Sequence, residues 1–343
     1  MRKLILDYDK FALEEFLLQG NFETYRVRQL LQWIYDKKAN SFANFKNIPL
    51  ELRHALEGNF LLRSMSIAKV SNSKIDATKR FDFVLSDGNC VSAVFLPAKD
   101  KFSVCISTQV GCAMGCAFCA SGKDGFVRNL SSGEILEQVL QIEEYTGHHI
   151  SGVLFMGSGE PFMNYTNLLI AIKSLTDPKG FNLGRKHITV STVGIVEKIK
   201  AFENALPGVR LAISLHSADD RKRHCIIPSA INNDIEDIMS SSISYCEENK
   251  VPLTIEYILI KNINDAKQDA VKLADLLRKY QTEKVEVKVN LIPYNKTLGR
   301  TYEAPEASTV ENFYNYLTER NIFTAVRIAK GADIGAACGQ LGY

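Results

Sequence analysis

The chain has 343 residues, 46% hydrophobic and 23% charged, values that set aside a disordered, collagenous or coiled-coil protein. No stretch approaches the ~20 consecutive apolar residues of a bilayer span, and Asp7, Asp9, Glu14 and Glu15 fall where a secretory leader needs its apolar core. Forty-one lysines and arginines against 39 aspartates and glutamates leave a net charge of +2, which permits RNA binding without predicting it. The expectation is a cytoplasmic protein with no membrane partner.

Residues 1–62 read as a small helical domain. Phe11, Leu13, Phe16 and Leu17, then Val27, Leu30, Leu31, Trp33 and Ile34, recur at three- and four-residue spacing and are expected to form its core. Residues 63–100 change to β-rich runs, and Asp87-Gly88 between two of them predicts a hairpin. From 101 to 343 strand-like and helical runs alternate. The strand candidates are FSVCIST, SGVLFMG, HITVST, VRLAISLH, LTIEYILI, VEVKVNLIP and FTAVRIA, with helical stretches such as EILEQVLQIEEY and DAVKLADLLRKY between them. Strands joined by helical crossovers predict an α/β domain, a parallel sheet wound as a full or partial βα barrel. Reactive groups in such a barrel gather at the carboxyl ends of its strands.

Of eight cysteines, Cys112, Cys116 and Cys119 fall within eight residues, just after the first strand of the predicted barrel. A cytosolic chain of this length needs no disulfide staples, so the C-x3-C-x2-C spacing reads as metal chemistry. Three thiolates suit an iron–sulfur cluster with one iron left for an outside ligand. Zinc completed by a distant histidine competes, although no second paired-cysteine half is visible. Cys338 lies among small residues in GADIGAACGQ, where the backbone can approach a substrate closely. By itself it reads first as a buried or idle terminal cysteine, and Cys105 as a small core hydrophobe. Cys90, Cys225 and Cys246 read as structural.

The segments CISTQVGCAMGCAFCASGKDGFVRNLSSGEI, FMGSGEPFMN, ITVSTVGI, LAISLHSADDRKRHCIIP, YILIKNIND, VNLIPYN and GADIGAACGQL follow one another over about residues 102 to 343. Their set and order resemble the RlmN/Cfr family of radical S-adenosylmethionine (SAM) RNA adenine methyltransferases, nearest its RlmN branch. The resemblance implies a [4Fe-4S] cluster on Cys112, Cys116 and Cys119, with SAM chelating the open iron. SAM contacts would then fall at Gly159, Glu160, Ser191, Ser214, Leu215, His216 and Asn295. It also implies that Cys338 carries a methyl group to C2 of an adenine. Cys105 would be the resolving thiol that closes a transient disulfide with Cys338. The implied substrate is 23S ribosomal RNA, with transfer RNA as a candidate second. An electron donor such as a flavodoxin or ferredoxin, and a monomeric state, complete the implied partners. The adenine must leave its stack to reach a barrel pocket, a step costing on the order of a few kcal/mol.

Three positions depart from the family pattern. Ser92 stands where the family has a proton-accepting glutamate, and a serine hydroxyl is a poor base unless a neighbour activates it. Asp87 is near in sequence but would have to reach across the hairpin. Gly157-Ser158-Gly159-Glu160 replaces a GMGE run, and Lys330 replaces an arginine. Three alternatives follow. One is a Cfr-like enzyme acting at C8. Another is a diverged radical SAM enzyme with a different substrate. From another class comes a zinc-stabilised RNA-binding protein without turnover.

Overall fold

Apolar stripes at helical spacing give the N-terminal segment α1 (Lys10–Gln19), α2 (Arg26–Leu31) and α3 (Leu50–Asn59), with a wider π turn over Gln32–Asp36. The computed structural model describes residues 2–123, 125–229 and 233–342. Asp9 caps α1 by accepting the Ala12 N–H at 2.9 Å. Leu13, Leu17, Val27, Leu30, Leu31 and Ile34 are buried, as their spacing predicts. Phe11 is not, at 75% exposure. Two residues before Leu13, it is rotated by roughly 200° from the face that Leu13 and Leu17 share. A short parallel pairing of β1 (Lys3–Leu4) with β2 (Phe60–Leu61) brings the two ends of this segment together.

Three antiparallel strands follow: β3 (Met65–Asn72), β4 (Lys79–Leu85) and β5 (Cys90–Ala98). The turn falls at Asp87-Gly88, where Gly88 takes the positive φ of +83° that the reversal requires. β5 pairs antiparallel with β6 (Lys101–Cys105), so the meander runs straight into the parallel strands. Those are β6, β9 (Gly152–Phe155), β10 (Ile188–Thr192), β11 (Arg210–Ser214), β12 (Leu253–Leu259), β13 (Val287–Pro293) and β14 (Phe323–Val326). All ten strands form one sheet in the order β14-β13-β12-β11-β10-β9-β6-β5-β4-β3. Its two edges do not pair with each other, which makes the barrel a partial one.

Helices α4 (Ser132–Thr146), α5 (Tyr165–Thr176), α6 (Val196–Ala205), α7 (Asp220–Ile226), α8 (Ile235–Asn249), α9 (Lys267–Tyr280) and α10 (Ala307–Thr318) connect the parallel strands. Val190, Leu211, Ile213, Ile255, Val289 and Leu291 are wholly buried in the sheet, as strands covered by helices should be. Between β6 and α4, β7 (Gln109–Gly111) and β8 (Phe126–Asn129) form a separate ribbon that flanks the cysteine loop.

α4 ties the segments together. Its Ser131–Glu134 capping box fixes the start. Asp7 of the N-terminal segment accepts the Gly133 N–H at 2.7 Å. Buried Glu137 accepts from Ser64 N and Oγ, both at 2.8 Å, and from Met65 N at 3.3 Å. Among the described residues no helix is long and apolar enough to cross a membrane.

Candidate active site

The parallel strands open, at and near their carboxyl ends, onto a cavity of about 150 Å³. It is lined by Cys112, Cys116 and Cys119, by Gly159 and Glu160 after β9, by Ser191 of β10, Ser214 of β11 and Glu256 of β12, and by His216 and Cys338. The sequence therefore brings nine of its named residues to one place. Leu215, Asn295 and Cys105 stand just outside the lining. Ligand sites of such sheets form at this end, where successive loops converge.

The cysteine loop leaves β7 at Gly111, whose φ is +70° and whose added Cβ would lie 1.9 Å from the Gly125 carbonyl oxygen. Ala117 N donates to Ile226 O at 2.9 Å, and the Phe118 ring meets that of His216 edge-on at 4.7 Å. Burial pushes the Cys112 thiol up to about 11 and the Cys116 thiol well above its ordinary value. Buried thiols at neutral pH keep their protons unless a cationic centre draws them off. The three thiols share one cavity lining, an all-thiolate donor set that fits an iron–sulfur cluster.

Backbone approach shapes the opposite lip. A Cβ on Gly159, at φ +100°, would sit 2.5 Å from Gln109 Cβ, and one on Gly157 would sit 2.6 Å from Ile106 O. Only glycine allows the end of β9 to lie this close to the segment after β6. Glu160 is buried and accepts the Phe162 and Val193 N–H groups at 3.0 and 2.9 Å, while burial pushes its carboxyl up to about 7. Ser191 and Ser214 hydroxyls meet at 3.3 Å. Leu215 and His216 donate their N–H groups to the Glu256 carbonyl, and His216 takes a left-handed φ of +60°. That is an uncommon conformation for a non-glycine residue and one that gathers at functional sites. His216 Nδ1 accepts the Ile258 N–H at 3.0 Å, and burial drives the imidazole down to about 3, so it is neutral at working pH. The Leu215 side chain packs in the main core.

The loop 331–342 covers this cavity. Cys338 is open to solvent through the cavity yet sits deep among protein atoms, and desolvation pushes its thiol up to about 11. Asn295 Nδ2 donates to the Cys338 carbonyl at 3.1 Å, so the asparagine holds the loop. Cys105, at the end of β6, is pushed up to about 12, by burial first and then by the charge of the nearby Cys338. Both thiols are free. Cys246 is buried in the core, whereas Cys225 is exposed on α7 and has no packing role.

Residues 106–276 match the model of the Radical SAM superfamily, and residues 4–62 match the Ribosomal RNA large subunit methyltransferase N-terminal domain. A "Probable dual-specificity RNA methyltransferase RlmN" from Endomicrobium trichonymphae is 46% identical over 342 residues, covering 100% of this chain and 98% of that protein. A protein of the same name from Clostridium botulinum is 41% identical over 339 residues, covering 99% and 96%. This chain belongs to the RlmN family of radical SAM RNA methyltransferases. A solved radical SAM methyltransferase from Sphaerobacter thermophilus superposes with a TM-score of 0.93 at 33% identity, over 99% of both chains. The chain is thus an enzyme of a superfamily that uses a [4Fe-4S] cluster and SAM.

Ser92 of this RlmN-family chain has a neighbour that sequence proximity misses. Asp87 is engaged elsewhere: it accepts from Arg128 Nε at 2.5 Å, which holds its carboxyl near 2. Asp82 lies directly across the β4–β5 ladder from Ser92 and accepts its hydroxyl at 2.8 Å. Arg80 donates to both, to Asp82 Oδ1 at 2.7 Å and to Ser92 Oγ at 3.0 Å. Alternation along β4 puts Arg80 and Asp82 on one face, but the register that sets them against Ser92 is visible only in the folded sheet. Glu256, a buried carboxylate held by Asn290 Nδ2 at 2.8 Å, is another cavity residue that no motif had marked.

Proposed function

We propose that this enzyme methylates C2 of an adenine in 23S ribosomal RNA, with transfer RNA as its second substrate, and that Cys338 is the methyl carrier. The observation that carries the reading is the seat of Cys338. A cysteine 219 positions beyond Cys119 lines the same cavity as the three clustered thiols, with Cys105 close behind it.

Cys112, Cys116 and Cys119 would hold the cluster. Glu160, Ser191, Ser214, His216 and the backbone at Gly159 and Leu215 would hold SAM, with Asn295 fixing the carrier loop above. When bound, the cluster and SAM supply one-electron cleavage chemistry and a transferable methyl group. The chain's own residues do the rest. Cys338 Sγ gives up its proton and accepts the methyl carbon. After that carbon is joined to the base, Cys105 as thiolate attacks Cys338 Sγ. The base gives up its C2 proton, the sulfur–carbon bond breaks with its electron pair going to the former methylene carbon, which takes up a proton to become the methyl group, and a Cys105–Cys338 disulfide forms. Both thiols lie far above neutral, so each must be deprotonated in place. The neutral His216 adds no positive charge to the pocket.

The test is nucleoside mass spectrometry on RNA from cells that lack their own RlmN and express this chain. The expected product is 2-methyladenosine. 8-Methyladenosine would move the enzyme to Cfr-like chemistry. Neither product from soluble, cluster-bearing protein would favour a different substrate, the reading to which Ser92 lends its weight.

A further inference from the structure

Arg80 joins the hairpin wall to the carrier loop. Across the ladder Arg80 pairs with Val94, Asp82 with Ser92, and Val94 with Cys105, so these side chains share one sheet face. That face is covered by Ala336 and Leu341 of the loop. Besides Asp82 and Ser92, the Arg80 guanidinium donates through Nη1 to Gly335 O at 2.9 Å and through Nη2 to Gly342 O at 3.3 Å. Gly335 lies three residues before Cys338 and Gly342 four after it. One planar group therefore grips both flanks of the cysteine.

The partners of that group are arranged to aim it. Ser92 accepts from Arg80 and passes its own hydroxyl proton to the Asp82 oxygen that Arg80 Nε also uses, which fixes the fork in one plane. A second clasp repeats the pattern on the other side. Ser158 Oγ lies 3.0 Å from Ser121 Oγ, and Ser121 donates to the Leu341 carbonyl. Both serines that depart from the family pattern thus sit in hydrogen-bond networks that also hold carbonyls of the carrier loop: Ser158 through Ser121, and Ser92 as an acceptor that anchors Arg80.

We propose that Arg80, oriented by Asp82 and Ser92, is the positioning residue that seats Cys338 over the cavity. This rests on Cys338 being the methyl carrier. Ser92 then serves, with Asp82, as an anchor that holds the Arg80 fork toward the loop. A lysine would keep the charge at position 80 but lacks the planar fork that reaches four acceptors at once.

The test uses the full-length, cluster-loaded protein and two readouts. Hydrogen–deuterium exchange over 331–342 should quicken about tenfold in both Arg80→Ala and Arg80→Lys, a factor worth roughly 1.4 kcal/mol. In the same variants, single-turnover transfer of labelled methyl from SAM to the Cys338 peptide should fall about tenfold, with the cluster absorbance near 400 nm unchanged. If Arg80→Ala fails to fold, Asp82→Asn replaces it: the loop contacts remain but the guanidinium loses its orienting charge, and a smaller change of the same sign is expected. Unchanged exchange in these variants, full rescue by lysine, or faster exchange spread over β3–β6 would overturn the proposal. Failure of the carrier reading shows separately, as a Cys338 peptide that takes no methyl even in the unaltered protein.

Discussion

The two walls of the active site are built by different means. The wall of parallel-strand ends is made of backbone: glycines at 157 and 159, main-chain donors onto Glu160, and a cysteine loop bent by Gly111 and Gly115. The wall facing it comes from the loop 331–342, which brings Cys338 and Gly339 to the cavity and is held against β4 and the β3–β4 turn by side chains reaching across more than 250 residues of sequence. Arg80 to Gly335 and Gly342, Asp76 to Gly331 N, and Asp333 to Ser73 Oγ and Lys74 N are its joints. A backbone wall is rigid because strand pairing over-determines it. A side-chain wall can be let go by breaking a few bonds, as the proposed carrier role of Cys338 would require of its loop.

The largest effect is expected at the thiol itself. Cys338→Ala removes the proposed carrier and no side chain that holds either wall, so methylation should fall to background while absorbance near 400 nm and melting temperature stay as they were. Product formation by this variant, read by nucleoside mass spectrometry, would remove the carrier mechanism. Next in size comes the joint between the hairpin and the barrel. Glu137 is buried and is the shared acceptor for Ser64 N, Ser64 Oγ, Met65 N and Gln141 Nε2. Glu137→Ala strands those donors and should cost on the order of 2–4 kcal/mol in denaturant unfolding. Glu137→Gln keeps one acceptor oxygen and should cost less.

The same division decides what the sequence lets one read. Cys112, Cys116 and Cys119 were legible because a loop of fixed spacing carries its own geometry. The parallel strands were legible because apolar runs bounded by turns leave little choice of partner. Phe11 lies off the buried face because the helix turns about 100° per residue, a step that apolar spacing counted loosely overlooks. Arg80 and Asp82 were invisible for a different reason. Nothing local distinguishes a charged residue on a half-exposed strand from a solvated one, and their meaning comes only from pairing with Ser92 and from the loop returning over them. Asp87 illustrates the converse: it is near Ser92 in sequence, yet the turn points it at Arg128.

Asp87 also supplies the smallest and most discriminating test. It pins the hairpin tip to Arg128, which in turn grips Glu134 at the start of α4 with two bonds of 2.8 and 2.9 Å. The Arg128 side chain holds the Asp87 carboxyl near 2, below its ordinary 3.8. A carboxylate with a depressed folded-state pKa contributes stability that is fully present above its unfolded value and lost as pH falls through its folded value. Asp87→Asn should therefore lower the melting temperature slightly at pH 7, slightly because the pair is partly solvated and screened. The gap to the unaltered protein should hold down to about pH 4 and close by about pH 2. Methylation should be unaffected, since Asp87 touches neither Ser92 nor the carrier loop. A variant that lost methylation without losing stability would show that the hairpin tip takes part in seating Cys338, and that the side-chain wall extends outward to Arg128 and the start of α4.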